Sequence, residues 1–197
     1  LEVISYAEVA LASGRADSAH PAFSKMFIES EYLPDHDALV LSRRPRSQHE
    51  KPLYLLHMLN MRVVWDKTRF ETNREEFLGR GRTIANAKAL ERSFKADHGT
   101  VGPVLDPIVS LRTRVELNPL ASETVSFVSA AAHQRGDIEF LAQLYHDNLS
   151  INRAFEMAWM RSNIELRNEH SAAVNSVTYQ RLANAIFFQV DELRTES

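Results

Sequence analysis

The chain has 197 residues, with 23 basic and 26 acidic side chains and no cysteine. That length suits one domain of ordinary size or a medium domain with a helical appendage, large enough to bury a core without staples. The missing cysteines exclude disulfides, thiolate metal sites and cysteine nucleophiles, and the net charge of −3 argues against a nucleic-acid binder that relies on a broad positive field.

From Leu1 to about His133 the apolar residues recur mostly with period two. In the first segment Val3, Ser5, Ala7, Val9 and Leu11 share one face, against Glu2, Ile4, Tyr6 and Glu8. This opening lacks a basic lead and an uninterrupted apolar stretch, so it is not read as a signal peptide. A chain that begins inside a strand is expected to be part of a longer protein. Phe23 to Tyr32 is predicted as a second strand, and Ala38 to Arg43 as a third after a turn at Pro34–Asp37. Leu53 to Val64 is apolar on both faces, the pattern of a central strand covered on both sides.

Ile108 to Leu117 sets Val109, Leu111, Thr113, Val115 and Leu117 on one face and Ser110, Arg112, Arg114 and Glu116 on the other. After a turn over Asn118–Glu123, Thr124 to Ala130 returns with Val125 and Phe127 inward. The pair reads as a hairpin with one dry and one wet face. Roughly seven strands without regular crossover helices predict a mainly β protein, an antiparallel β-sandwich followed by two or three linker helices. The period changes after Arg135. Ile138, Leu141, Leu144 and Tyr145 mark a short helix. A second is predicted from Ile151 to Arg167 with Ser150 as cap, and a third from Val177 to Leu193. Phe155 and Trp159, one turn apart, are expected to be packing residues. The division is 1–135 for the sandwich and 136–197 for the helices. No run of residues is apolar enough to span a membrane.

The densest candidate for chemistry is Arg69–Arg82, RFETNREEFLGRGR. Arg80 and Arg82 flank Gly81, and two guanidiniums on a glycine-permissive backbone can receive a phosphate or sugar hydroxyls. The structural alternative is a sheet-edge turn whose arginines pair with Glu75 and Glu76. Asp106, before Pro107, is a further candidate near substrate or phosphate, though an aspartate there also caps turns. Glu29, Glu31, Asp35 and Asp37 cluster near one turn, without the spacing that would show a glycosidase pair. The histidines form no compact ligand set, so no metal is expected, and His57 reads as a hydrogen-bonded core residue. Tyr32, Tyr54, Trp65, Phe70 and Phe77 are possible stacking platforms for sugar rings, with core packing as the competing role. No catalytic residue is assigned.

Several strings in order resemble one family: SYAEVALA, HPAFSKMFIESEY, LVLSRRPR, ETNREEFLGRGR, GTVGPVLDPIVSLRTRVEL and FEMAWMRSNIELR. They resemble the amino-terminal portion of inverting glycoside phosphorylases of the cellobiose and chitobiose phosphorylase family. Within it they are most similar to the phosphorylase-like carboxy-terminal region of bacterial cyclic β-1,2-glucan synthases. The resemblance implies a β-sandwich that lacks its first strands, then a helical linker to a large (α/α)6 barrel. In that family a barrel aspartate is the general acid of phosphorolysis, with inorganic phosphate as co-substrate. The resemblance places that aspartate beyond residue 197, so this chain is expected to be inactive alone and to require no cofactor. It also implies a β-glucan oligosaccharide or polysaccharide as ligand, the catalytic barrel as partner, and a possible homodimer. It further implies a parent protein associated with the bacterial inner membrane. A stand-alone carbohydrate-binding module and a purely structural or dimerising domain are the alternatives.

Overall fold

The computed structural model describes residues 1–45, 47, 50–61, 66–91, 99–168 and 173–187. The expected continuation of the central strand to Val64, the platform Trp65, His49, Asp97, His98, His170 and the end of the third helix at Leu193 lie outside them.

Two compact units divide at residue 148. The first, Leu1–Asn148, is built on two antiparallel sheets. One has β8 (Pro107–Arg114) at its centre. Along one edge of β8 run β1 (Glu2–Ile4) and β2 (Ala7–Glu8), which keep a single register: Ile4 sits opposite Arg112, and Ala7 opposite Val109. Between them Ser5 substitutes its hydroxyl for a backbone acceptor, taking the Leu111 N–H at 2.9 Å. On the other edge lies β6 (Arg69–Asn73), with Phe70 opposite Leu111. The second sheet has the order β7 (Gly102–Pro103), β3 (Ile28–Leu33), β4 (Ala38–Arg43), β5 (Leu53–Met61), β9 (Val125–Ala132). The β3–β4–β5 meander turns first through Pro34–His36 and Asp37, which takes a left-handed conformation at φ 46°.

Three apolar clusters order these sheets into layers. Leu39, Leu41 and Leu59 meet Val9, Val109 and Leu111 between the sheets. Val40, Leu56 and Met58, on the opposite face of the five-stranded sheet, pack under Ile138 and Ala142 of the helix Arg135–Tyr145. Ile108 turns to the far side of the smaller sheet, where Phe77, Leu78, Ala87 and Ala89 cover it. Each fully buried aliphatic side chain stabilises the fold by roughly 1.5–3 kcal/mol. The central strand is thus covered on both faces, as its sequence predicts.

Three short helices complete this unit before that one. Ser13 caps α1 (Gly14–Ala19) by accepting from the Ala16 N–H. Pro21 opens α2 (Pro21–Lys25), so Phe23–Lys25, expected to be strand, is helical and the strand starts only at Ile28. A proline at the first helical position loses no hydrogen bond and presets φ. Asn73 caps α3 (Arg74–Leu78) through the Glu75 N–H. The helix Arg135–Tyr145 is then α4. The Asn60 side chain donates to the carbonyls of Tyr145 and His146 at its carboxy-terminal end.

The sequence hairpin is corrected. β8 and β9 are in different sheets, β9 pairing with β5, so residues 115–124 carry the chain across the sandwich. The outer face of β8 is wet only at its end: Ser110 and Arg112 are buried beneath the layer that contains Phe77, while Arg114 and Glu116 are exposed, and so is Leu117, expected on the dry face.

The second unit holds α5 (Asn148–Asn168) and α6 (Ala173–Phe187). The expected cap Ser150 lies inside α5. Phe155 and Trp159, expected to be packing residues, are 73% and 70% exposed among the described residues.

Candidate functional site

The two strings that stand out in the sequence, Arg69–Arg82 and Gly99–Pro107, are stitched together. Gly99 lies so close to β6 that a Cβ there would fall 2.0 Å from the Phe70 carbonyl oxygen. Glu71, buried, accepts with Oε1 from the N–H groups of Thr72 and Asn73 at 2.8 Å each, and from Thr100 at 3.3 Å. The Thr72 hydroxyl reaches the Thr100 carbonyl at 2.7 Å and stands 2.9 Å from the Ser30 hydroxyl, which reaches the Gly102 carbonyl at 3.1 Å. Buried polar groups of this kind must find partners, and here they find one another.

At the rim of this junction an ionic cluster joins four chain segments. Lys25 Nζ donates to Asp106 at 2.6 Å and lies 3.9 Å from Glu8. Arg74 Nε donates to Glu8 at 2.9 Å, and its Nη1 lies 3.6 Å from Asp106. The Tyr6 hydroxyl donates to Glu8 at 3.2 Å. The Glu8 hydrogen bond, then that of Tyr6, pushes the Arg74 guanidinium above its ordinary pKa, while burial chiefly raises the Tyr6 phenol. Asp106 is therefore held between two cations.

The glycine turn has another shape from the one its arginines suggest. Gly79 and Gly81 take positive φ, 80° and 73°. The turn aims Arg82 at Glu91, not at Glu75 or Glu76; Glu76 instead receives Lys88 at 3.0 Å. Arg80 is exposed and makes no hydrogen bond or ion pair among the described residues. Of the four candidates, Arg80, Gly81 and Arg82 share one surface turn, and Asp106 belongs to the separate ionic cluster.

His57 is a buried tie between the sheets. Its Nε2 shares a hydrogen bond with Ser5 Oγ at 2.9 Å and its Nδ1 with Ser129 Oγ at 2.8 Å. Burial holds the ring neutral by lowering its pKa from 6.5 to about 4. Among the proposed stacking platforms, Tyr32 and Phe70 stack on each other at 4.2 Å, Phe77 is buried, and Tyr54 packs beneath α4. Among the described residues no three histidine, aspartate or glutamate side chains converge as a metal site.

A concavity of about 480 Å³ opens elsewhere, between the Leu33–His36 turn and α4. Phe140 stands in its wall with 63% of its surface exposed. The sequence reading passed over this residue because it lies off the Ile138–Leu141–Leu144–Tyr145 stripe. An aromatic on the polar side of an amphipathic helix was the available signal.

The family model described as the glycosyl hydrolase 94 supersandwich domain matches residues 1–148. The chain belongs to the glycosyl hydrolase 94 supersandwich family. Its matched span coincides with the sandwich unit and includes α4. The supersandwich chain is also similar to the cyclic beta-(1,2)-glucan synthase NdvB of Rhizobium meliloti (strain 1021), at 33% identity over 198 residues. That alignment covers all of this chain and 7% of the relative's length.

Proposed function

We propose that this chain is the non-catalytic supersandwich and helical linker of a larger glucan-processing protein, a glycosyltransferase or glycoside phosphorylase that makes or trims β-1,2-glucan. The observation that carries this reading is where the shared strings are used. Glu71, Thr72, Gly99, Thr100 and Asp106 make internal bonds of the fold, so the strings supply architecture instead of a pair of carboxylates across a sugar bond. Phosphorolysis needs a proton donor at the leaving oxygen and a site holding phosphate in line with it. In this reading both come from the rest of the protein, with inorganic phosphate as its co-substrate and a catalytic barrel as the partner of residues 136–197. The exposed apolar residues of α5 and α6 support a linker role, since such residues serve where another surface covers them.

Within that scheme Arg80 is the guanidinium of the Gly79–Arg82 turn left open to an anion or to a neighbouring domain. The described helices include none long and apolar enough to cross a membrane; attachment of the parent protein to a bacterial inner membrane belongs to the proposal. The test is a phosphorolysis assay on a β-1,2-linked gluco-oligosaccharide, using this chain alone and a longer protein that contains it. Sugar phosphate released only by the longer protein is the expected result. Turnover by the isolated chain overturns the reading.

A further inference from the structure

We propose that the groove between the Leu33–His36 turn and α4 is a binding site for a neutral gluco-oligosaccharide, a reading that rests on the glucan assignment above and locates recognition on the sandwich itself. Size comes first: about 480 Å³ falls within the roughly 300–1,000 Å³ of small-ligand clefts. Its lining then sets the ligand class. Phe140 offers an exposed ring, and the apolar face of a pyranose stacks on such a surface. Leu33 and Pro34 continue the apolar floor.

The polar groups are those that serve vicinal hydroxyls. Gln143 presents a donor and an acceptor on one amide, and Asp35 presents two acceptor oxygens. Neither side chain makes a hydrogen bond or ion pair among the described residues, which leaves both to a ligand. Glu139, also in the wall, is oriented by Arg135, whose Nε donates to it at 2.9 Å. Among the described residues no lysine or arginine lines the groove, and the carboxylates Asp35 and Glu139 do, which disfavours phosphate or any other anion. This separates the groove from the Gly79–Arg82 turn: the former suits a sugar chain, the latter an anion. The groove lies wholly within the Leu1–Asn148 unit, so its walls are fixed by the α4 packing already described.

The experiment is titration of the ¹⁵N-labelled chain with a β-1,2-linked gluco-oligosaccharide, read by amide shifts and calorimetry, on the wild type, Phe140→Ala and Arg80→Ala. Saturable binding is expected, with shifts centred on residues 33–36 and 139–143. Phe140→Ala should weaken it roughly ten-fold or more, and Arg80→Ala should leave it unchanged. Because Phe140 is exposed, its truncation should leave the thermal melt intact, which keeps loss of binding separate from loss of fold. A folded chain that binds no gluco-oligosaccharide, or binding that survives Phe140→Ala with shifts elsewhere, overturns the proposal. Either failure leaves the scaffold reading standing, because the phosphorolysis assay tests that separately.

Discussion

The sandwich unit and the helices that follow it treat apolar side chains in opposite ways. In the sandwich, Ile28, Leu39, Leu41, Leu56 and Ile108 vanish into three clusters, each closed by neighbours from the same unit. Along α5, Phe155 and Trp159 are exposed on one side, and Met157, Met160 and Ile164 are exposed on another. A helix with apolar residues around so much of its circumference is ordinarily an interior element. The contrast separates a region stabilised by its own contacts from one whose side chains suit contacts with a further surface.

The sharpest way to break this contrast is at the junction of the two strings. Gly99→Ala places a methyl against the Phe70 carbonyl, and backbone must move to admit it. A loss of about 3 kcal/mol or more is expected in urea unfolding; an unchanged midpoint would show that the close approach is dispensable.

Next comes His57. The unfolded chain binds its proton below about pH 6.5, the folded chain only below about pH 4. The stability held by the neutral ring is therefore complete above 6.5 and is lost as pH falls toward 4, about 3 kcal/mol in all. Unfolding followed across that window should show the slope, and His57→Gln should flatten it. A smaller effect is expected from Thr72→Val, which removes the hydroxyl between Ser30 and Thr100 and should lower stability by roughly 1–2 kcal/mol in thermal or urea unfolding.

The least effect should come from the other region. Trp159→Ala is expected to change the unfolding free energy of the sandwich by less than about 0.5 kcal/mol. A large shift would mean that α5 contributes to the sandwich's stability and would erase the distinction.

Which parts of this were legible beforehand follows from what local pattern can encode. The strand Ala38–Arg43 has its predicted bounds, and β5 shows its two-faced burial, because a meander is written in consecutive alternation and turn residues. The β8–β9 relation is not written that way. Two strands with one dry face each satisfy the same pattern whether they lie side by side or face each other across a core. The burial of Ser110 and Arg112 likewise depended on a covering layer built from residues 77–89, which alternation in β8 cannot report.

The junction was legible as two strings and not as one structure. Nothing local in Thr72 or Thr100 announces that they meet. His57 was readable because a histidine within a run apolar on both faces must be satisfied in the interior, while Phe140 was obscured by the stripe of larger amplitude beside it.

The path of the first strand also bears on how the protein is made. Glu2 of β1 sits opposite Arg114 of β8, 112 positions along the chain. At synthesis rates of roughly 5–20 residues per second, that partner leaves the ribosome on the order of ten seconds later. The β3–β4–β5 meander, whose pairings are local, is complete before β8 exists. For that interval the inner face carrying Leu39, Leu41 and Leu59 lacks its partners Val109 and Leu111. The nascent chain is then most open to aggregation, and most in need of a chaperone.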